Sequence, residues 1–449
     1  MDEGILLADG FDKCLIGFGR RCGKPDIAVY DQEKCIEEIN NDLKSDYKMF
    51  RILQGDVGSG KTIVSFIAAA NTIKSKWQVA LMAPTEILAK QHYILACKIF
   101  KSSGIKISFL SGKTDPKEKK IILKNLLDGN INFLIGTHAL FQKNTVFKKL
   151  GLVIIDEQHK FGVKQRIDLS DKGGKECDIL LMSATPIPRT LVLTIYGDMD
   201  ISILSEKPIG RKEIITLSKP EEKISEIILF IKKQINIGNQ VFWVCPLIDE
   251  SKKLDYSAAV EKYNYLSKIF NKNVGLIHGG LDKNKKNDVL NSFLKKSINI
   301  LVSTTVIEVG IDFPNANVIV IENANKFGLS QLHQLRGRVG RGEKESTCIL
   351  LFKSNLSNNA KKRIKVLKNS NDGFIIAEQD MKLRGFGDLL GFKQSGINDF
   401  RLADPIHNEK FFLLAEKEIK KLEKEKKNLS EYTGLLKLYD RADILNDII

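Results

Sequence analysis

At 449 residues, 43% hydrophobic and 28% charged, the chain has a globular composition and enough mass for two to four domains with real cores. Its 70 basic and 55 acidic residues leave a net charge of +15, which fits a polyanionic partner. No apolar run approaches the roughly 18–20 residues needed to cross a bilayer, residues 1–20 carry Asp2, Glu3, Asp9 and Asp12 where a signal peptide would not, and the seven cysteines form no Cys-x-x-Cys pair. These features argue against a membrane partner, a secretory leader, a zinc site and a disulfide framework, and predict a cytoplasmic protein with reduced thiols.

Residues 1–30 show only broken helical spacing. From Asp31 to Leu43 the run DQEKCIEEINNDL reads as an amphipathic helix with Cys35, Ile36 and Ile39 on one side. Phe50–Leu53 reads as a short buried strand and Ile63–Ala70 as a helix, with GDVGSGKT (55–62) between them. A strand over 78–84 and a helix over 85–100 come next. IKISFLSG (strand), DPKEKKIILKNLLDG (helix) and INFLIGTH (strand) follow, then strands over 150–157 and 177–185 and a helix in PRTLVLTIYG. The pattern pauses over 201–220, which reads as a linker. A second alternating block has strands at 240–248, 274–279, 299–305, 317–323 and 346–352. Its helices are ISEIILFIKKQINIG, SAAVEKYNYLSKIF, KNKKNDVLNSFLKK and LSQLHQLRGRVGR. Beyond about 360 the chain reads as helical and charged, with KEIKKLEKEKKN a solvated face. Apolar strands alternating with helices predict parallel sheets covered on both faces, an α/β class.

GDVGSGKT is the phosphate-loop pattern in its strand–loop–helix context. Glycines let successive backbone N–H groups turn inward around phosphates, and the helix N-terminus adds its positive dipole end. Lys61 can reach the outer phosphates and the Thr62 hydroxyl can hold Mg²⁺. Asp156-Glu157-Gln158-His159 ends an apolar strand, where ligands gather in an α/β sheet. There an aspartate can hold Mg²⁺ and a glutamate can orient or deprotonate water. Ser183-Ala184-Thr185 reads either as a coupling element or as an ordinary helix cap. In the second block, Arg338 and Arg341 can supply charge to a γ-phosphate, and they share one helix face if the glycines there leave it helical. Thr85 and Thr137 suit hydroxyl and amide contacts to nucleic-acid phosphates. His138, His159 and His278 have no metal-ligand spacing.

Together these residues resemble the superfamily 2 helicases, and closely the RecG branch-migration helicases. ILQGDVGSGKT, APTEILAKQH, GTHALFQ, VIIDEQHKFGVKQR, SATPIPRTL, STTVIEVGIDFPNA and FGLSQLHQLRGRVGRG stand in that family's order. GFIIAEQDMKLRGFGDLLGFKQSG (373–396) looks like the translocation motif that RecG helicases share with the transcription–repair coupling factor. The resemblance covers about residues 31–405. It implies two tandem RecA-like parallel-sheet domains, at 31–208 and 209–365, followed by a helical translocation segment at 366–449 and preceded by a remnant or linker at 1–30. It also implies an ATP- and Mg²⁺-dependent motor on double-stranded and branched DNA, remodelling stalled forks and Holliday junctions in repair and recombination, and expected to be a monomer. By resemblance Gly55, Asp56, Gly58, Ser59, Gly60, Lys61 and Thr62 hold the nucleotide phosphates, and Thr62 with Asp156 the Mg²⁺. Glu157 is the implied catalytic base. Arg338 and Arg341 act across the cleft with Gly310 and Asp312 alongside, and Gln32 matches the adenine-reading glutamine. Arg384 and Gln394 belong to the element that turns domain closure into DNA movement.

The chain departs from the family pattern in two respects. Most or all of the family's long N-terminal wedge domain is expected to be missing from this sequence, so the expectation is a truncated gene product, or half of a split gene whose wedge sits on a separate polypeptide. The aromatic residue and Leu-Thr that usually precede the glutamine are replaced by Asp26-Ile27-Ala28-Val29. Two other readings therefore compete with the active motor. One is an inactive remnant that binds DNA without productive hydrolysis. The other is an RNA helicase, which the stretch at 373–396 opposes.

Overall fold

Strands covered on both faces need apolar residues at every position rather than at alternate ones. That condition is met by VALM, LVII and NVIVI, and these runs lie at the centres of two parallel sheets. The computed structural model describes residues 29–157, 177–184, 199–205, 212–246, 252–304, 313, 315–340, 344–353, 356–384 and 409–424.

The first lobe opens with α1 (Val29–Leu43) and β1 (Phe50–Gly55). It continues through α2 (Lys61–Lys74), β2 (Gln78–Met82), α3 (Glu86–Ile99), β3 (Ile107–Leu110), α4 (Pro116–Leu127) and β4 (Phe133–Gly136). It closes with β5 (Leu150–Ile155), β6 (Asp178–Ser183) and β7 (Asp200–Leu204). Its seven strands run in the order β3-β4-β2-β5-β6-β1-β7, and the paired strands are parallel. All six residues of β5 are buried, and each large aliphatic side chain so buried contributes about 1.5–3 kcal/mol. Helix starts follow local chemistry. Thr85 accepts the Leu88 amide at the start of α3, and Asp115 accepts the Lys117 amide just before Pro116 opens α4.

The second lobe contains β8 (Ile214–Pro220), α5 (Ile224–Asn236), β9 (Gln240–Val244), α6 (Lys252–Phe270), β10 (Val274–Ile277) and α7 (Lys283–Leu294). β11 (Ile300–Ser303), β12 (Ala316–Ile321), α8 (Leu329–Arg336), β13 (Ser346–Phe352), α9 (Asn358–Asn369) and α10 (Gly373–Arg384) complete it. Its six parallel strands run β10-β11-β9-β12-β13-β8. Alternation separates its core into two layers. Phe242, Val244, Ile319 and Ile321 pack on one face of the sheet, and Val241, Trp243, Val318 and Val320 on the other. Both lobes belong to one compact unit, residues 1–187 and 198–383. A second unit combines 188–197 with 384–449, and its described residues are Arg384, the last of α10, and α11 (Glu409–Lys424).

Two expectations are corrected. The stretch 201–220 is not a plain linker: β7 forms one edge of the first sheet and β8 one edge of the second. The ISIL and IITL runs pair only along one side and are half-covered, so they lack the solid apolar signature of the central strands. LSQLHQLRGRVGR is not helical throughout: α8 stops at Arg336, with Gly337 as its C-cap and Gly340 at φ 76°. Arg338 therefore lies beyond the end of α8, and Arg341 lies outside the described residues.

Candidate nucleotide site

Strand β1 delivers the chain to Gly55, and α2 receives it at Lys61. Between them the backbone reverses through two left-handed glycines, Gly58 at φ 83° and Gly60 at φ 97°. A side chain at Gly60 would collide with the amide of Gln32, and one at Gly55 with the Ser59 hydroxyl. The left-handed backbone favours glycine at Gly60, and at Gly55 a side chain would also press on Leu204 Cβ at 2.9 Å. Lys61 Nζ donates to the carbonyls of Gly55 (2.7 Å) and Asp56 (2.9 Å), so its ammonium lies across the loop. Burial lowers the Lys61 pKa, against the pull of the Asp156, Glu157 and Asp56 carboxylates.

Asp156 and Glu157 follow immediately after β5, at the C-terminal end of the sheet. The Asp156 amide is anchored on the Met82 carbonyl at 2.9 Å. His92 Nε2 on α3 sits 2.8 Å from Asp156 Oδ2, and the Glu157 amide donates to Oδ1 at 2.9 Å. Burial pushes the Asp156 pKa up, but the hydrogen bond and charge of His92, with Lys61 and the Glu157 amide, outweigh it and hold the carboxyl below its usual range. Glu157 is buried and sits at φ 52°, a left-handed position for a non-glycine residue. Such positions cost about 1–2 kcal/mol and gather at functional sites.

Gln32, from α1, donates to the Ser59 carbonyl at 3.0 Å, so its amide rests on the phosphate loop. α1 is held to the sheet by the buried Arg51, which reaches Asp42 (2.6 Å), Glu38 (3.5 Å), Asp200 (3.8 Å) and the Ser202 hydroxyl (2.9 Å). Residues 1–28, which hold the altered stretch before Gln32 except for Val29 at the start of α1, lie outside the described residues.

The second lobe meets the loop through α8. His333 Nε2 is 3.1 Å from Asp56 Oδ1, and Arg336 Nη2 is 3.0 Å from His333 Nδ1. A Cβ on Gly337 would stand 3.4 Å from Val57 Cγ2. Asp56, His333, Arg336 and Gly337 border a cavity of about 40 Å³ between the loop and β8. Arg338 is buried one residue beyond.

The structure thus brings Gln32, Gly55, Asp56, Gly58, Ser59, Gly60, Lys61, Thr62, Asp156 and Glu157 together in the first lobe, and in the second Arg338 follows Gly337, which faces Val57. Thr85 is the N-cap of α3, where its hydroxyl is used by the Leu88 amide. Thr137 precedes a 3₁₀ turn, His138–Phe141. Ser183 is buried at the end of β6. Thr185, His159, Gly310, Asp312, Arg341 and Gln394 lie outside the described residues, and Arg384 ends α10. Sequence reasoning missed His92, His333 and Arg336. The signal for the last two was present: polar residues at i and i+3 on a helix whose other inward positions are Leu329, Leu332 and Leu335. Among the described residues, no group of three or more His, Cys, Asp or Glu could hold a metal by itself, and no helix is long and apolar enough to cross a membrane. A Mg²⁺ here would rely on phosphate oxygens as well as on Thr62 and Asp156.

Comparison with known proteins gives three consecutive family matches. "DEAD/DEAH box helicase" covers residues 30–193, "Helicase conserved C-terminal domain" residues 221–343, and "ATP-dependent DNA helicase RecG, domain 3, C-terminal" residues 370–436. An ATP-dependent DNA helicase RecG of Aquifex aeolicus is 49% identical over 91% of this chain and 52% of its own length. The one from Bacillus subtilis is 48% identical over 84% of this chain and 55% of its own. Among solved structures, RecG bound to a three-way DNA junction superposes with TM-score 0.72 at 43% identity, covering 90% of this chain and 52% of that one. Saccharomyces cerevisiae Dbp5 bound to RNA shares the fold (TM-score 0.57) at 19% identity over 79% of this chain and 96% of that one. The chain spans about half the length of the curated relatives it matches.

Proposed function

Because the chain belongs to the RecG-type ATP-dependent DNA helicases over the half of their length that it spans, we propose that it is an ATP-driven translocase on double-stranded DNA. Its substrates would be stalled forks and Holliday junctions, remodelled in repair and recombination in the cytoplasm. The observation that carries this reading is the convergence of Lys61, Asp156 and Glu157 on one glycine-built loop that the second lobe also touches. The division proposed is an ATP-binding domain at 31–208, a helicase C-terminal domain at 209–365 and a translocation segment at 366–449.

The residues fit a nucleotide with Mg²⁺. A side chain at Gly55 would meet the Ser59 hydroxyl and one at Gly60 the Gln32 amide, and Lys61 Nζ is held on the Gly55 and Asp56 carbonyls, where phosphate oxygens would join them. Bound ATP·Mg²⁺ supplies the phosphoanhydride whose hydrolysis drives motion. Thr62 and Asp156 would hold the cation, with His92 fixing the Asp156 carboxylate in one orientation. Glu157, buried beside it, would take the proton from the attacking water. Gln32 would read adenine from the loop it already contacts. Arg338 and Arg341 would face the γ-phosphate from the second lobe. Thr85, Thr137, Arg384 and Gln394 would serve the DNA track.

The test is ATP hydrolysis by the purified chain with no DNA, with linear duplex and with a model fork. Stimulation by the fork above linear duplex is expected, and Lys61→Ala should abolish turnover. Equal stimulation by both duplexes would mean a motor without junction targeting. No hydrolysis under any condition would overturn the motor reading in favour of an inactive DNA-binding remnant, and stronger stimulation by RNA would favour an RNA helicase.

A further inference from the structure

α8 reaches the phosphate loop through an imidazole set between two groups of fixed hydrogen-bonding character. Arg336 can only donate, and it approaches His333 Nδ1 at 3.0 Å. Nδ1 is therefore the acceptor, which places the ring proton on Nε2. Asp56, as a carboxylate, can only accept, and it faces that Nε2 at 3.1 Å. Both neighbours demand the same tautomer, and a second proton on Nδ1 would point at the guanidinium. All three participants are held. Arg336 and His333 are 2% and 4% exposed. Arg336 Nη1 donates to the Leu367 and Ser370 carbonyls, both at 2.8 Å, so the guanidinium cannot swing away. Asp56 Oδ1 also accepts the Val57 amide at 2.7 Å. The Asp56 carbonyl is one of the two that hold Lys61 Nζ.

We propose that His333, locked as its Nε2–H tautomer by Arg336, is a positioning residue. It clamps Asp56, and through Asp56 it sets Lys61 in the first lobe, while seating the Gly337–Arg338 turn of the second lobe against Val57. One side chain thereby fixes the geometry of two charged groups that approach the phosphates from opposite lobes. The phosphate loop itself is built from first-lobe backbone, so His333 acts on the orientation of reacting charge more than on nucleotide capture. This rests on the motor reading above.

The experiment uses the full chain with ATP and linear duplex DNA. His333→Phe, which keeps the ring and removes both hydrogen bonds, should lower kcat at least tenfold and change the KM for ATP less than threefold. His333→Gln, which restores a donor toward Asp56, should recover a measurable part of kcat. Asp56→Asn combined with His333→Phe should cost no more than the worse single variant, because both break one contact. A parallel rise in KM with kcat unchanged, or strictly multiplicative losses in the double variant, would overturn the proposal. Two measurements do not depend on turnover. A histidine ¹⁵N spectrum should show His333, identified by its loss in His333→Phe, protonated on Nε2 and not on Nδ1; an Nδ1–H signal would refute the clamp. Urea unfolding of wild type, His333→Phe, Asp56→Asn and the double variant should give non-additive shifts, and additive ones would refute it. If wild type hydrolyses no ATP, the motor reading fails while these two measurements still decide the clamp.

Discussion

Replacing Arg51 by alanine should weaken the first lobe more than any surface change. Arg51 rises from β1 into a ring of three carboxylates on α1 and β7, and its side chain is 9% exposed. Its partners Glu38, Asp42 and Asp200 are 33%, 22% and 50% exposed. Removing one member of a buried ion pair costs about 3–5 kcal/mol, because it leaves charge uncompensated. Here water reaches the acids in part, so the lower end applies, about 3 kcal/mol. The three acids also come to face one another with no cation between them, and the Ser202 hydroxyl loses its donor from Arg51. For a lobe of this size about 2–4 °C of Tm follows each kcal/mol, giving a fall of about 6–12 °C. Scanning calorimetry measures it. Because α1 also carries Gln32, affinity for a fluorescent ATP analogue should fall in the same variant at a temperature where both proteins are folded. Arg51→Lys, which keeps the charge but not the fork, should lie between. A Tm within 2 °C of wild type for Arg51→Ala would refute the reasoning, since it would mean that solvent already screens the cluster as it does an exposed pair.

Gly60→Ala places a side chain at φ 97° and against the Gln32 amide, so a loss of about 1–2 kcal/mol in urea unfolding is expected, together with weaker nucleotide binding. Burial pushes the Asp178 pKa up to about 6, with a smaller push from Asp42 against the Met49 amide's opposing hydrogen bond. The folded state therefore binds the proton more tightly than the unfolded chain, so this contribution is present in acid and is lost as pH rises through about 6. The urea midpoint of Asp178→Asn relative to wild type should accordingly rise between pH 5 and pH 7.5; an unchanged difference would count against the assignment. Asp156 carries the opposite sign: its depressed pKa supports the fold above the ordinary carboxylate range and loses that support as pH falls. His92→Phe should shrink that acid-side loss and raise the Mg²⁺ concentration needed for half-maximal turnover severalfold, read from a Mg²⁺ titration of ATP hydrolysis.

The central strands and the phosphate loop were legible in the sequence for a local reason. A strand buried on both faces must be apolar at every position, as LGLVII and NVIVI are. A loop that turns through left-handed backbone needs glycine where Gly58 and Gly60 stand. Asp156 and Glu157 were legible as well, since they end such a strand. What the sequence left open depends on distant neighbours. β7 and β8 pair on one side only, so their mixed composition resembled a linker until their partners β1 and β13 were known. The end of α8 was hidden because two glycines permit a helix as readily as a turn, and the turn is chosen where Gly337 packs against Val57, some 280 residues away in the chain. His333 and Arg336 are two polar residues among leucines, and only the folded chain shows an aspartate on one side and helix-terminal carbonyls on the other. Local pattern determined which segments become strands, helices and a phosphate cradle, because backbone sterics and burial act over a few residues. Which charges face each other was decided by tertiary structure, because that depends on groups brought within about 3 Å by packing the sequence does not spell out.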